Sequence, residues 1–366
     1  MKFIFLSYGK NPAFNRPEEW IHRIRGYTGI LEILSREHHV ISIEQINYEG
    51  IFFNNGVDYH FLNFGKWELK FPAKLHQYVK ALKPDIVFVH GMHYPLQILQ
   101  LRIALNKKTK IIVQNHAEKP GNGYTRLLQK LADASIDAYL FTALQMSEAW
   151  IKQGIIKDRK KIYEVMEASS VFGPMEKSEA KKFTGATGDP VVLWVGRLDQ
   201  NKDPVTVIKG FLKFANEHRT ARLYMIYHTD ELLAQIKKLL ADAGNKKDSV
   251  VLTGKVPHEK MSYWYNSADF IISGSHYEGS GVAVCEAMSC GCIPIVTKIL
   301  SFQKITNDGE CGLLYEPGNE EELLSALFQS MKINLQQERE KVFRQFHSAL
   351  SFEAIAATIQ EIAVSL

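Results

Sequence analysis

The chain has 366 residues, enough for two domains of ordinary size, and its net charge of +4 gives no argument for nucleic-acid binding. Mild basicity would instead suit anionic substrates. No stretch approaches the ~20 apolar residues of a membrane-spanning helix. The N-terminal stretch MKFIFLSYG is typical of a first β-strand rather than a signal peptide. We therefore expect a cytoplasmic protein.

The N-terminal half alternates between predicted strands and helices. Strands are predicted at residues 3–7, 39–43, 86–89, 110–113 and 138–141, and helices at residues 17–37, 69–82, 96–105, 125–134 and 142–153. The strand at 86–89 is apolar throughout, as central strands of parallel sheets are. This order predicts βαβ units built on a parallel sheet.

Three histidines follow predicted strands of this half. His90 and His93 come after the strand at 86–89, and His116 follows the strand at 110–113. Open parallel sheets bind ligands at the carboxyl ends of their strands. The three side chains are therefore site candidates, and the alternative is that they are ordinary surface histidines.

The C-terminal half continues the alternation. Strands are predicted at residues 191–195, 222–227, 250–252, 269–273 and 293–296, and helices at residues 205–216, 231–243, 261–267, 282–289, 320–331, 335–345 and 352–366. Residues 176–188 are typical of a linker or an exposed helix. The strand at 191–195 leads into a loop that contains Arg197 and Lys202.

All four cysteines lie in this half, at Cys285, Cys290, Cys292 and Cys311. The Cys-x-Cys spacing does not suit a zinc pair, and no second pair with histidine follows. We expect buried free thiols in a reducing compartment.

A glycine-containing loop follows the strand at 269–273. Glu278 precedes Gly279, Ser280 and Gly281, a helix is predicted to begin at Val282, and Glu286 lies about one turn into it. The free amides and dipole of a helix N-terminus attract anions. The loop could therefore hold a diphosphate while the two acids bind hydroxyl groups. The alternative is a closely packed helix with two solvated glutamates.

This stretch resembles the donor-site signature of retaining glycosyltransferases with the two-domain GT-B fold, in particular the large family 4. The signature is a glutamate, seven residues and a second glutamate, here Glu278 and Glu286. The tract from Gly196 to Lys202 is similar to the family's Gly-Arg-Leu…Lys-Gly motif. The chain departs from the family at Ser280, where Phe is usual, and in lacking Pro-Asn-Gly between the domains.

The resemblance implies a role for each candidate residue. Arg197 and Lys202 would hold the diphosphate, Glu278 would bind hydroxyls of the donor sugar, and His116 would contact the sugar near the reacting carbon. The remaining donor contacts would come from the loop amides and from Val256 and Glu286, which would meet the nucleobase and the ribose. Weaker matches are His90, His93 and Gly9, the single glycine where the family often has two.

The resemblance also implies the architecture. We expect an α/β protein of the GT-B fold, with two doubly wound, Rossmann-like domains facing across a cleft. An acceptor domain would span residues 1–170, a nucleotide-sugar domain residues 171–346, and a helix within 347–366 would cross back to the first domain.

The implied reaction is retaining transfer of a sugar from a UDP-, GDP- or ADP-linked donor to a saccharide or lipid-linked acceptor, in polysaccharide or glycolipid synthesis. Because no Asp-x-Asp motif is present, no divalent metal and no cofactor are expected. The alternatives are a sugar-nucleotide 2-epimerase of the same fold and a non-catalytic nucleotide-sugar-binding protein.

A peripheral contact with the inner membrane face is a further hypothesis. The predicted helix around Trp20 is basic, and a second basic cluster lies in the same domain: His22, Arg23 and Arg25, with Lys107, Lys108 and Lys110. Cations near anionic lipid each contribute ~1 kcal/mol to binding. The alternative is a solvated face.

Overall fold

The computed structural model describes residues 1–366, apart from the side chains of Asn245 and Lys246. The chain divides into two compact units, one formed by Met1–Ser169 with Phe352–Leu366 and the other by Ser170–Ser351. Residues 347–351, which were grouped with the terminal helix from the sequence, therefore lie in the second unit. The prediction of an α/β protein with two parallel-sheet domains is confirmed.

Eight strands form the sheet of the first unit: β1 Lys2–Leu6, β2 His39–Gln45, β3 Gly50–Asn54, β4 Val57–Leu62, β5 Ile86–His90, β6 Lys110–Gln114, β7 Ala138–Phe141 and β8 Ile162–Glu164. Their order is β3-β4-β2-β1-β5-β6-β7-β8, and the pairs are parallel except for β3 with β4. The central strands are buried on both faces, which explains their unbroken apolar sequences.

The β3–β4 hairpin was not predicted, although the sequence contains a turn signal for it. Asn55 and Gly56 form the turn, with φ of +47° and +85°. Asn-Gly is a strong hairpin signal because both residues tolerate positive φ. The hairpin places β3 at the edge of the sheet.

The first unit contains seven helices before its last one: α1 Pro17–Arg23, α2 Arg25–Leu34, α3 Lys66–Lys70, α4 Ala73–Ala81, α5 Pro95–Ala104, α6 Gly123–Ala132 and α7 Glu148–Lys152. The single helices predicted at 17–37 and 69–82 are each two helices. The second break falls at Pro72, which lacks an N–H and disfavours helical backbone at the residue before it. The helix predicted at 142–153 is α-helical only over α7.

Six parallel strands form the sheet of the second unit: β9 Val191–Gly196, β10 Arg222–Tyr227, β11 Val250–Gly254, β12 Phe270–Ser273, β13 Ile293–Thr297 and β14 Leu313–Tyr315. Their order is β11-β10-β9-β12-β13-β14. The chain proceeds from β9 towards one edge and then returns to place β12 on the other side of β9. This reversal makes the carboxyl ends of β9 and β12 the topological switch point, where such sheets bind ligands.

Eight helices accompany this sheet: α8 Lys177–Thr184, α9 Pro204–Phe214, α10 Leu233–Asp242, α11 Met261–Ser267, α12 Val282–Ser289, α13 Leu300–Ile305, α14 Glu320–Ser330 and α15 Leu335–Gln345. The segment predicted as a linker or an exposed helix is thus mostly helix α8. All four cysteines are buried free thiols, as predicted.

The last helix, α16 Phe352–Ser365, belongs to the first unit. Ile355, Ile359 and Ile362 on this helix are buried. The ring of Phe352 lies against Gly29 of α2, where a Cβ atom would come within 2.6 Å of the ring. Over the described residues, none of the helices combines the length and the apolarity that crossing a bilayer requires.

Candidate functional site

The loops that follow β9 and β12 meet at the switch point of the second sheet. The Lys202 ammonium donates a hydrogen bond to the Glu278 carboxylate, and both side chains are largely buried. Asn201 Nδ2 donates to the Tyr277 carbonyl oxygen over 2.9 Å, and the His276 amide donates to the Asn201 carbonyl oxygen over 2.8 Å. The structure therefore brings together two residues that the sequence assigned separately to the diphosphate and the sugar.

Asp199 organises the basic loop and was not among the predicted residues. Its carboxylate accepts from the Lys202 amide over 2.9 Å and lies 3.1 Å from Arg197 Nη2. The Arg197 side chain is 55% exposed, whereas that of Lys202 is 20% exposed. Arg197 is thus available to a ligand, while Lys202 is fixed within the loop.

Helix α12 begins at a tight turn. Gly281 is the N-cap residue with φ +54°, and a Cβ atom there would lie 2.6 Å from the Phe302 ring. Glycine is required for both reasons. Within the described part of the chain, the amides of Ser280, Gly281 and Val282 donate no hydrogen bond, as is usual for the first turn of a helix. They are free to bind an anion.

Glu286 lies inside α12 and is only 6% exposed. Its carboxylate accepts from Tyr265 Oη over 2.9 Å and lies 2.5 Å from His258 Nε2. Burial raises the pKa of the Tyr265 phenol, and the Glu286 charge adds to that shift. Val256 lies half-buried two residues before His258. The contacts of His258 and Tyr265 with Glu286 were not predicted, because no sequence pattern near either residue indicates them.

A second cluster lies at the carboxyl edge of the first sheet. His116, after β6, bonds through Nδ1 to the carboxylate of Glu167 and through Nε2 to His90 Nδ1 at 3.2 Å. The other nitrogen of His90 lies 2.7 Å from Tyr27 Oη. Both ring nitrogens of each histidine are therefore engaged in one chain of hydrogen bonds. Glu167 and Tyr27 were not predicted, although Glu167 follows β8 as the histidines follow their strands.

The two histidines have opposite pKa shifts. Burial lowers the pKa of His90 well below its usual value, and the neighbouring His116 lowers it further. Burial also disfavours the charged form of His116. The hydrogen bond and charge of Glu167, with the charge of Glu118, outweigh this and raise the pKa of His116. The positive charge of the pair is therefore held on His116.

Glu118 ties together the two loops that carry the histidines. Its carboxylate accepts from the amides of Met92 and His116 at 3.0 and 2.5 Å and from Asn115 Nδ2 at 2.8 Å. The side chain is only 4% exposed and lies 3.2 Å from His93 Nε2. His93 is thus held at the same edge.

Gly9, after β1, lies close to this edge. Its amide lies 3.3 Å from Ser7 Oγ, and a Cβ atom on it would lie 3.5 Å from Tyr94 Oη. The structure therefore gathers all four predicted residues of the first unit at one end of the sheet. No group of three or more His, Cys, Asp or Glu that could hold a metal ion occurs among the residues described.

Solved structures share this fold over the whole chain. A glycosyltransferase from Rickettsia africae superposes with a TM-score of 0.75 at 16% identity, covering 100% of this chain and 98% of that one. HepE from Anabaena in complex with UDP gives a TM-score of 0.75 at 14% identity and 100% coverage of both chains. Sucrose-phosphate synthase from Thermosynechococcus elongatus gives 0.69 at 17% identity, covering 100% and 98%. The fold is that of GT-B glycosyltransferases, as predicted.

Residues 176–345 match the family described as Glycosyl transferases group 1. D-inositol 3-phosphate glycosyltransferase from Acidothermus cellulolyticus is 26% identical over 172 residues, covering 44% of this chain and 38% of the relative. GDP-mannose:cellobiosyl-diphosphopolyprenol alpha-mannosyltransferase from Xanthomonas oryzae pv. oryzae is 24% identical over 240 residues, covering 63% and 60%. The chain thus spans less than two thirds of the length of each relative.

Proposed function

We propose that the protein is a retaining glycosyltransferase that moves a sugar from a nucleotide-sugar donor to a hydroxyl group of an acceptor. The contact between Lys202 and Glu278 carries the proposal. It joins a cation and an acid at the switch point of the sheet, within the segment that matches the family. A cation for phosphate beside an acid for hydroxyls is what a nucleotide sugar requires.

The diphosphate is the leaving group in this proposal. The free amides of Ser280, Gly281 and Val282 would bind its oxygens, together with Arg197 and Lys202. Fixed donors of this kind stabilise the charge that develops on a leaving phosphate and require no metal ion. We accordingly propose metal-independent transfer, for which activity would survive a chelator.

The two acids have different proposed partners. Glu278 would exchange part of its contact with Lys202 for hydroxyls of the donor sugar. Glu286 is already oriented by Tyr265 and His258, and it would accept hydrogen bonds from the ribose hydroxyls. His116 would contact the sugar near the reacting carbon, with its charge supported by Glu167.

The acceptor class is proposed from the relatives. The Xanthomonas relative is named for transfer to a diphosphopolyprenol-linked saccharide, and another relative is an O-antigen chain mannosyltransferase from Escherichia coli. We propose a saccharide or lipid-linked acceptor in polysaccharide or glycolipid synthesis at the cytoplasmic side of a membrane.

A nucleotide thermal-shift series tests the donor site first. UDP, GDP and ADP, and then their sugar derivatives, are added to the wild type and to Lys202→Ala, with Lys238→Ala on the exposed face of α10 as the matched control. A ligand that binds only the native state raises the melting temperature. We expect a shift with one base, lost in Lys202→Ala and kept in Lys238→Ala.

The donor identified in this way then enters a transfer assay with saccharide acceptors, in which NMR reads the anomeric configuration of the product. Transfer with retention supports the proposal. Isomerised donor in the absence of acceptor, or tight donor binding without turnover, would contradict it.

A further inference from the structure

Two large aromatic side chains of the first unit point into solvent at α3. Trp67 is 73% exposed and Phe71 is 52% exposed. Single exposed apolar residues are ordinary, but neighbouring exposed ones mark an interaction site. We call these two residues, with Lys66 and Lys70, the aromatic–lysine surface.

Helix α3 directly precedes α4 in the chain, and the carbonyl oxygen of its Leu69 accepts a hydrogen bond from Gln97 Nε2 of α5 over 3.3 Å. The side chains of Trp67 and Phe71 remain exposed.

The charges around the surface are mostly positive. Between residues 66 and 83 the chain has one acid, Glu68, and five exposed lysines: Lys66, Lys70, Lys74, Lys80 and Lys83. Glu68 is occupied by Lys74 Nζ at 2.9 Å and by the Gly65 amide at 3.0 Å. Lys70 Nζ lies 5.4 Å from the centre of the Trp67 ring and 5.8 Å from that of Phe71. The exposed aromatic rings and the lysine ammonium groups therefore lie next to one another.

The other aromatic candidate in this unit is not available. Trp20, which the sequence suggested for a membrane contact, donates its indole N–H to Glu44 over 3.0 Å and packs edge-on against Phe14 at 5.2 Å. An indole held in this way is not available to insert into a lipid bilayer. Trp67 is the exposed tryptophan of the unit, since Trp150 is buried.

We propose that the aromatic–lysine surface binds an anionic lipid bilayer. Tryptophan and phenylalanine rings favour the boundary between headgroups and acyl chains, and lysines extend their charged ends to lipid phosphates. A second copy fits less well, because a two-fold interface would place lysines against lysines. The proposal does not rest on the proposed function, because none of the residues assigned to the donor site lies in the aromatic–lysine surface.

Vesicle sedimentation of the full chain tests the proposal. Vesicles of phosphatidylcholine alone are compared with vesicles that also contain phosphatidylglycerol, at low and high salt. One lysine near an anionic surface contributes a factor of about five in binding. We expect binding to anionic vesicles only, weakened at least tenfold in the double variant Lys66→Gln/Lys70→Gln and by high salt.

Matched variants test whether this surface, rather than any exposed lysine or apolar side chain, binds the vesicles. Ile103→Ser removes an apolar side chain that is 85% exposed on α5, and Lys107→Gln/Lys108→Gln removes two lysines elsewhere in the unit. Both should bind vesicles as the wild type does, whereas Trp67→Ser/Phe71→Ser should not. Quenching of tryptophan fluorescence by brominated lipid should disappear in Trp67→Phe.

Three outcomes would overturn the proposal. The first is no binding to anionic vesicles at low salt, and the second is an equal loss of vesicle binding in the control variants. The third is a change of oligomeric state, measured by light scattering, in Trp67→Ser/Phe71→Ser. The last outcome would identify the surface as a protein interface. The nucleotide thermal shift of each variant is measured in parallel and should stay unchanged, so failure here is distinguishable from failure of the proposed function.

Discussion

Glu167 holds the Nδ1 side of His116, so the imidazole reaches His90 only through Nε2. When His116 is neutral with its proton on Nδ1, Nε2 accepts from His90 Nδ1–H, and His90 Nε2 then accepts from the Tyr27 hydroxyl. When His116 is protonated, the same two bonds run in the opposite direction. The protonation state of His116 thus sets the polarity of the whole chain.

Replacing Glu167 with glutamine should lower the pKa of His116, because a neutral amide no longer favours the imidazolium. Histidine NMR titrations of the wild type and Glu167→Gln would measure it. His93, which contacts Glu118 and not Glu167, is the internal control. An unchanged His116 titration would show that Glu167 does not hold the charge.

The same pair predicts the sign of a pH effect on stability. The pKa of His116 is raised in the folded state, so the stabilisation is full below the unfolded pKa and is lost as the pH rises through the folded value. About a third of the imidazole is exposed, which limits the effect to ~1 kcal/mol or less. Denaturant unfolding should show that Glu167→Gln destabilises more at low pH than at high pH. A larger loss at high pH would contradict the assignment.

Lys202→Ala should reduce kcat/KM by ~2–4 kcal/mol of transition-state stabilisation, the usual scale for one fixed electrostatic donor. Arg197→Ala should cost less within that range, because the Arg197 side chain is more exposed and less constrained. Steady-state kinetics with the donor found above measure both, and Lys238→Ala is the control. Wild-type turnover in folded Lys202→Ala and Arg197→Ala would exclude the diphosphate assignment.

Glu286→Gln should weaken binding of the free nucleoside diphosphate, while Glu278→Gln should leave that affinity nearly unchanged and slow turnover. A ribose contact is similar in the ground and transition states, whereas a contact near the reacting carbon can strengthen as charge develops. Isothermal titration calorimetry decides between the two roles. Equal loss of affinity, or loss only in Glu278→Gln, would show that the roles are reversed.

Glu118→Ala should destabilise the first unit by about 3 kcal/mol, since it leaves the amides of Met92 and His116 without their acceptor and removes one of the acceptors of Asn115 Nδ2. Urea unfolding measures the change, and Glu49→Ala at an exposed position is the control. A loss no larger than that of Glu49→Ala would mean that water replaces Glu118 at no cost.

The succession of strands along the chain, and the residues that follow each strand, could be predicted from local patterns. Apolar runs mark buried parallel strands, and the rule that such sheets bind ligands at the carboxyl ends of their strands then selects His90 and His116. The resemblance to a known family indicated Lys202 and Glu278. The partners could not be predicted, because they are distant in sequence. Glu167 follows His116 by 51 residues, and His258 precedes Glu286 by 28. Which of many acids meets a given histidine depends on how strands pair, and strand pairing is not a local property.

Helix α16 makes the first unit discontinuous: its last element is made only after the whole of the second unit. At ~5–20 residues per second, the ribosome needs on the order of ten seconds or more to synthesise the inserted segment. During that time the surface around Gly29 lacks the Phe352 ring that fills it in the finished protein. The second unit can therefore complete its fold before the first unit does, although the first unit is begun earlier.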